Sequence, residues 1–144
     1  MSEPAVTLKL HHAGFVVADI EAGMAGFVRS LAARWDGRII EDPLQKVKVA
    51  FLSTAAGDAQ IELVQPNAAD SPVGRFLREK GGGFHHLCYE AANLEEQMAA
   101  LRTRGAFVVS RPKPAVAFDG RRIAWMLTAE KMLVELLETA PPRA

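Results

Sequence analysis

The chain has one cysteine, Cys88, so an intramolecular disulfide framework is excluded and a reducing compartment is the natural expectation. It has no excess of either charge. Lysine plus arginine and aspartate plus glutamate number 17 each, so no global field draws it to nucleic acid or to an anionic membrane. No apolar run approaches the roughly 20 residues that span a bilayer. The first residues, Met1 to Val6, carry neither the basic nor the apolar region of a signal peptide. Low-complexity segments are absent. What is present is 144 residues, 49% hydrophobic and 24% charged. That suits one globular domain of a soluble, cytoplasmic protein, with chain enough for a sizeable core.

Within that chain one pattern occurs twice. Leu10-His11-His12-Ala13-Gly14-Phe15-Val16-Val17 leads into Asp19-Ile20-Glu21-Ala22-Gly23-Met24, and Phe84-His85-His86-Leu87-Cys88-Tyr89-Glu90 leads into Asn93-Leu94-Glu95-Glu96-Gln97-Met98. His11 and His85, Ile20 and Leu94, and Met24 and Met98 are each separated by 74 positions. Each half closes on an apolar run holding one acid, Gln60-Ile61-Glu62-Leu63-Val64 and Leu133-Val134-Glu135-Leu136-Leu137, with the two glutamates 73 positions apart. Duplication of a histidine and a carboxylate at matching places suggests one site built by symmetry.

The alternation of β-branched and aromatic residues predicts a strand over 8–17. Asp19 is the expected N-cap of a helix running to about Arg34, with Ile20, Met24, Phe27, Val28 and Leu31 on its apolar face and Trp35-Asp36-Gly37 stopping it. Strands are expected at 38–41, 47–53 and 59–65, with a turn at 55–58 between the last two. Ser71 and Pro72 open a short connecting helix that reaches Lys80. Gly81-Gly82-Gly83 joins it to the second module, with a strand over 84–91, a helix from Asn93 to Arg104 ended by Gly105, and strands near 106–110, 121–127 and 132–138. The tail 141–144 is expected to fray. The chain thus predicts an α+β fold, one domain over 1–144. It comprises two tandem βαβββ modules (about 8–66 and 84–138, connected by 67–83) that form a cupped, partly open, eight-stranded barrel-like sheet with helices outside.

Side chains alternate along a strand, so each strand's parity sorts its residues onto two faces. Ala13, Phe15 and Val17 suit a face beneath a helix and leave His12 opposite. Ile61 and Leu63 leave Glu62 opposite, Leu87 and Tyr89 leave His86 and Cys88, and Val134 and Leu136 leave Glu135. His12, Glu62, His86 and Glu135 therefore share the concave side. A carboxylate in an apolar strand is costly unless paired or bound to a cation. Two imidazoles with one divalent ion answer that cost, and this mixed donor set suits cobalt, zinc, nickel, manganese or iron. The alternative for each acid taken singly is a buried hydrogen bond or a place at a strand end in water. His11 and His85 fall on the other face. Cys88 reads as a small buried thiol. Arg121 and Arg122, near Arg111 and Lys113, either meet an anionic handle of a substrate or form a solvated basic turn.

These residues resemble the vicinal-oxygen-chelate superfamily of glyoxalases, bleomycin-resistance proteins and extradiol dioxygenases, over residues 8–138. The resemblance implies paired βαβββ modules around one divalent metal, with His12, Glu62, His86 and Glu135 as its ligands. Within that superfamily the chain is most similar to methylmalonyl-CoA epimerases, in Gln45 to Leu52, Ile61-Glu62-Leu63, Asp70-Ser71-Pro72-Val73 with Phe76-Leu77, and Gly83-Phe84-His85-His86. The implied activity is a metal-dependent isomerase or epimerase acting through an enolate on a carbonyl compound or acyl thioester, such as an acyl-CoA. Glu135 would serve as one base. No second carboxylate is evident on 47–52, which offers Lys48; Glu41 and Asp42 qualify only if their loop folds inward. Further readings are a glyoxalase I-type lactoylglutathione lyase, an extradiol-type dioxygenase and a metabolite-binding resistance protein. The resemblance also implies a homodimer, with a small-molecule substrate as the partner and neither nucleic acid nor membrane.

Overall fold

The computed structural model describes residues 4–54 and 60–139. The expected turn at 55–58, Ala59 and the tail at 141–144 lie outside the described residues. The chain forms two compact units, residues 12–85 and residues 86–144 together with 1–11. Among the described residues no helix is long and apolar enough to cross a membrane.

In the unit 12–85, β1 (Lys9–Val16) leads into α1 (Ile20–Leu31), then β2 (Arg34–Trp35), β3 (Ile40–Asp42), β4 (Val47–Ser53), β5 (Gln60–Pro66) and α2 (Pro72–Lys80). The strand order is β2-β4-β5-β1, with β3 also on β4. β5 runs parallel to β1 and antiparallel to β4. Asp19 caps α1 as expected, its carboxylate accepting from Ala22 N at 2.9 Å. Ile20 and Met24 pack on Ala50, Leu52 and Leu63, with Phe15, Val17, Phe27 and Ile61 around them. Burying that face on the sheet drives the module together.

The helix is shorter than expected. Ala32 turns left-handed at φ 52° and its amide bonds back to Phe27 O, so α1 ends before Arg34. Arg34 and Trp35 instead pair with Ser53 and Leu52 as an extra strand. Val28 and Leu31, expected on the apolar face, are exposed. The described strands therefore number nine, not eight. Ser71 stands at the N-cap of α2 but makes no side-chain capping bond.

The second unit repeats the plan. β6 (Gly83–Ala91) leads to α3 (Leu94–Thr103), β7 (Phe107–Pro114), β8 (Arg122–Leu127) and β9 (Leu133–Glu138), in the order β6-β9-β8-β7. β9 is parallel to β6 and antiparallel to β8, as β5 is to β1 and β4. Asn93 caps α3 through Glu96 N at 3.0 Å, and Leu94 and Met98 pack on Ala124, Met126, Val134 and Leu136. β7 runs longer than expected, through register shifts between Val108 and Lys113. The N-terminal segment is tied to α3, because Gln97 accepts from Thr7 N and donates to Ala5 O.

Candidate metal centre

Each unit holds one buried histidine–glutamate pair. In the first, His12 on β1 and Glu62 on β5 are 1% and 5% exposed, and His12 Nε2 lies 3.4 Å from Glu62 Oε1. In the second, His86 on β6 and Glu135 on β9 are 2% and 3% exposed, and His86 Nε2 again lies 3.4 Å from Glu135 Oε1. Strand pairing produces both. Glu62 stands across from Gly14, two residues past His12, and Glu135 stands across from Cys88, two residues past His86. Two residues on is the same face, so histidine and glutamate are diagonal neighbours on adjacent strands.

The separation tests the donor set against a cation. A charge-assisted N–H···O bond closes to about 2.7–2.9 Å. Two donor atoms each about 2.0–2.2 Å from one ion stand roughly 3.0–3.5 Å apart at octahedral or tetrahedral angles. The observed 3.4 Å in each unit fits the second spacing better. Imidazole with carboxylate is also a donor chemistry that first-row divalent ions accept. The residues present therefore fit a divalent metal ion.

Both pairs carry an aromatic neighbour that sequence reasoning missed. Phe51 on β4 is across from Glu62, and its ring meets His12 edge-on at 5.6 Å and 74°. Trp125 on β8 is across from Glu135 and meets His86 edge-on at 4.7 Å and 84°. The signal was there, since Phe51 and Trp125 are separated by the same 74 positions as the paired histidines. These edge-on contacts are the arrangement aromatic pairs favour.

The remaining candidates are placed elsewhere. His11 packs edge-on against Phe118 with Glu90 at 3.9 Å, and His85 packs edge-on against Phe76 at 4.9 Å. Cys88 is fully buried as a thiol. Asp42 is buried, and its Oδ1 accepts from Leu44 N and Gln45 N at 3.0 Å, which makes it a turn-former. Glu41 and Lys48 face each other at 3.8 Å on the side of β4 opposite Phe51. The positions of β4 that share the face of Phe51 are Val47, Val49 and Ser53, so this strand supplies that face with no acid.

The basic turn is also taken up internally. Arg122 donates from Nε and Nη2 to Glu138, closing to 2.6 Å, and from Nη1 to Glu95 Oε1 at 2.7 Å. These bonds raise the guanidinium's pKa and hold the carboxyls of Glu138 and Glu95 below the usual range. Arg121 lies 3.8 Å from Glu90 and stacks over Phe118. Both arginines thus have carboxylate neighbours within the protein.

The sequence matches the profile of the Glyoxalase/Bleomycin resistance protein/Dioxygenase superfamily over residues 11–125. It is 35% identical to an uncharacterized protein of Bacillus subtilis, YqjC, over 90% of this chain and 91% of that one. It is 29% identical to an ethylmalonyl-CoA/methylmalonyl-CoA epimerase of Cereibacter sphaeroides, over 82% of this chain and 87% of that one. Among solved structures, methylmalonyl-CoA epimerase from Mycobacterium tuberculosis superposes with a TM-score of 0.82 at 26% identity, covering 98% and 94% of the two chains. A Streptomyces coelicolor methylmalonyl-CoA epimerase in complex with 2-nitronate-propionyl-CoA superposes at 0.78 and 25% identity, covering 94% and 100%.

Proposed function

The chain belongs to the glyoxalase/bleomycin resistance protein/dioxygenase superfamily, and from that premise we propose that it is a metal-dependent, epimerase-like enzyme that removes the α-proton of an acyl thioester. The observation that carries this reading is the duplicated buried pair, histidine against glutamate at 3.4 Å in each unit. His12, Glu62, His86 and Glu135 are the proposed ligands of a divalent ion. An ion held there (cobalt, zinc, nickel, manganese or iron) supplies a Lewis acid that stabilises the negative charge of an enolate.

The chain's own residues do the rest. Glu135 is assigned the proton transfer: it is a carboxylate only 3% exposed, held beside His86 on an otherwise apolar strand, and a carboxylate is a side chain able to take a proton from a carbon acid. His12 and His86 offer imidazole nitrogens, with Phe51 and Trp125 packed edge-on against them. The substrate class follows the epimerase relatives, one of which holds an acyl-CoA analogue. The homodimer and the cytoplasmic setting expected from the sequence belong to the same reading.

The test is α-proton exchange. Metal-loaded protein incubated with methylmalonyl-CoA in deuterated water is expected to wash deuterium into the α-position, read by mass spectrometry, and a Glu135→Gln variant to lose that exchange by about 10²–10⁴-fold. With no acid on the matching face of β4, exchange is expected to outpace inversion, read as deuterium gained per change in optical configuration. Absence of exchange with every acyl thioester offered would sink the proposal.

A further inference from the structure

The unit 12–85 contains a cavity of about 410 Å³ lined by Arg34, Trp35, Asp36, Phe51, Leu52, Ser53 and Gln60. That size lies in the range of small-molecule sites. Strand register relates it to the histidine of the same unit. His12 on β1 is across from Gln60 on β5, Gln60 from Ser53 on β4, and Ser53 from Arg34 on β2. Residues directly across from one another share a face. His12, Gln60, Ser53 and Arg34 therefore form one polar row, three strand spacings or about 14 Å long at the backbone. Phe51, which lines the cavity, is also the ring packed edge-on against His12.

The row ends in the guanidinium of Arg34, whose situation differs from that of Arg122. Arg122 is saturated by Glu95 and Glu138. Arg34 is exposed and among the described residues makes no ion pair. Its neighbours are held in place: Trp35 Nε1 donates to Arg38 O, and the Asp36 carboxylate accepts from Arg38 N, both at 2.9 Å. A fixed wall, two uncharged hydrogen-bonding side chains and a terminal fork of N–H donors match an oxyanion carried some way from a reacting carbonyl.

We propose that this cavity binds the anionic handle of the substrate, with Arg34 as the residue that receives a phosphate or carboxylate oxyanion. This rests on the acyl-thioester reading above and deepens it, by giving the substrate its charged recognition element. The oxyanion has two possible sources, the phosphates of the thioester's carrier or a free carboxylate on its acyl group.

Trp35 lines the cavity and is a built-in reporter. Coenzyme A, methylmalonate and pantetheine, which carries no anion, are titrated against the protein while tryptophan emission and calorimetric heat are followed. Coenzyme A or methylmalonate is expected to bind and to change the emission, with Trp35→Phe removing the optical signal but not the heat. Arg34→Ala is expected to weaken that binding at least tenfold, and Arg34→Lys to restore part of it. Arg34-dependent binding of coenzyme A assigns the phosphate, and Arg34-dependent binding of methylmalonate the carboxylate. If neither anion binds, or Arg34→Ala binds both as the wild type does, the proposal is overturned. Because Arg34 is exposed, an unchanged melting temperature of the variant will confirm that the fold is intact. Arg34-dependent binding without α-proton exchange would keep the cavity and remove the reaction, whereas exchange with Arg34-independent binding would do the reverse.

Discussion

Buried carboxylates are the residues on which the proposed chemistry turns. Glu62 and Glu135 sit in otherwise apolar strands, where an isolated charge would cost several kcal/mol. Each instead has an imidazole nitrogen 3.4 Å away. If the two pairs share one ion, damage to either unit should empty the whole site. Glu62→Gln and His86→Ala, one per unit, are each expected to lower metal affinity on the order of a hundredfold or more, judged against outer-shell losses of 10–100-fold. Elemental analysis after dialysis checks this. A drop to half the wild-type content in each single variant would mean two separate ions, and an unchanged content in both would mean none. Strand parity alone selected these four side chains, because alternation is a local property. It could not rank Phe51 or Trp125, since an aromatic residue on a strand reads as core until its cross-strand partner is known.

At the level of elements, close approach explains a residue that composition leaves ambiguous. Gly82 has φ +95°, and a Cβ there would lie 2.7 Å from the carbonyl oxygen of Val16 at the end of β1. The glycine run thus seats the end of α2 against the strand that carries His12, and is more than a flexible join. Gly82→Ala is expected to destabilise the fold by roughly 2 kcal/mol or more, through both strain and the forced shift of backbone. Urea denaturation measures it; a change under about 0.5 kcal/mol would show that the backbone yields freely. The end of α1 is the counterpart error of the sequence reading. Apolar residues at helical spacing continue through Val28 and Leu31, yet both are exposed. The left-handed turn at Ala32 and the pairing of Arg34 with Ser53 end the helix first, and nothing in the local pattern of Ala32-Ala33-Arg34 marks that turn.

For the molecule as a whole, duplication supplies the symmetric parts and a few ion pairs supply the asymmetric ones. The clamp of Arg122 on Glu95 at the start of α3 and Glu138 at the end of β9 gathers three elements of one unit. Hydrogen bonds from Arg122 hold both carboxyls below their ordinary value of 4.5. Their folded values lie below the unfolded ones, so the clamp's stabilisation is complete above about pH 4.5 and lost as pH falls through the lower folded values. Arg122→Gln is expected to lower the melting temperature by a few degrees at neutral pH. The gap to wild type should close in acid. A gap that stayed constant on acidification would mean that the arginine stabilises by packing alone.

The sequence by itself determined the repeat, the Asp19 N-cap and, within each unit, the strand face that histidine and glutamate share. All of these follow from spacing within a few residues, where 3.6-residue and two-residue periods act directly on the chain. Tertiary structure alone decided which cations are committed to ion pairs among the described residues. Arg34 and Arg122 look equally exposed and basic in the sequence. One is placed on a polar row beside Ser53 and Gln60, the other between two glutamates 27 and 16 positions away in sequence. That difference is set by strand register over long separations, and a charge's role depends on the neighbours register brings to it.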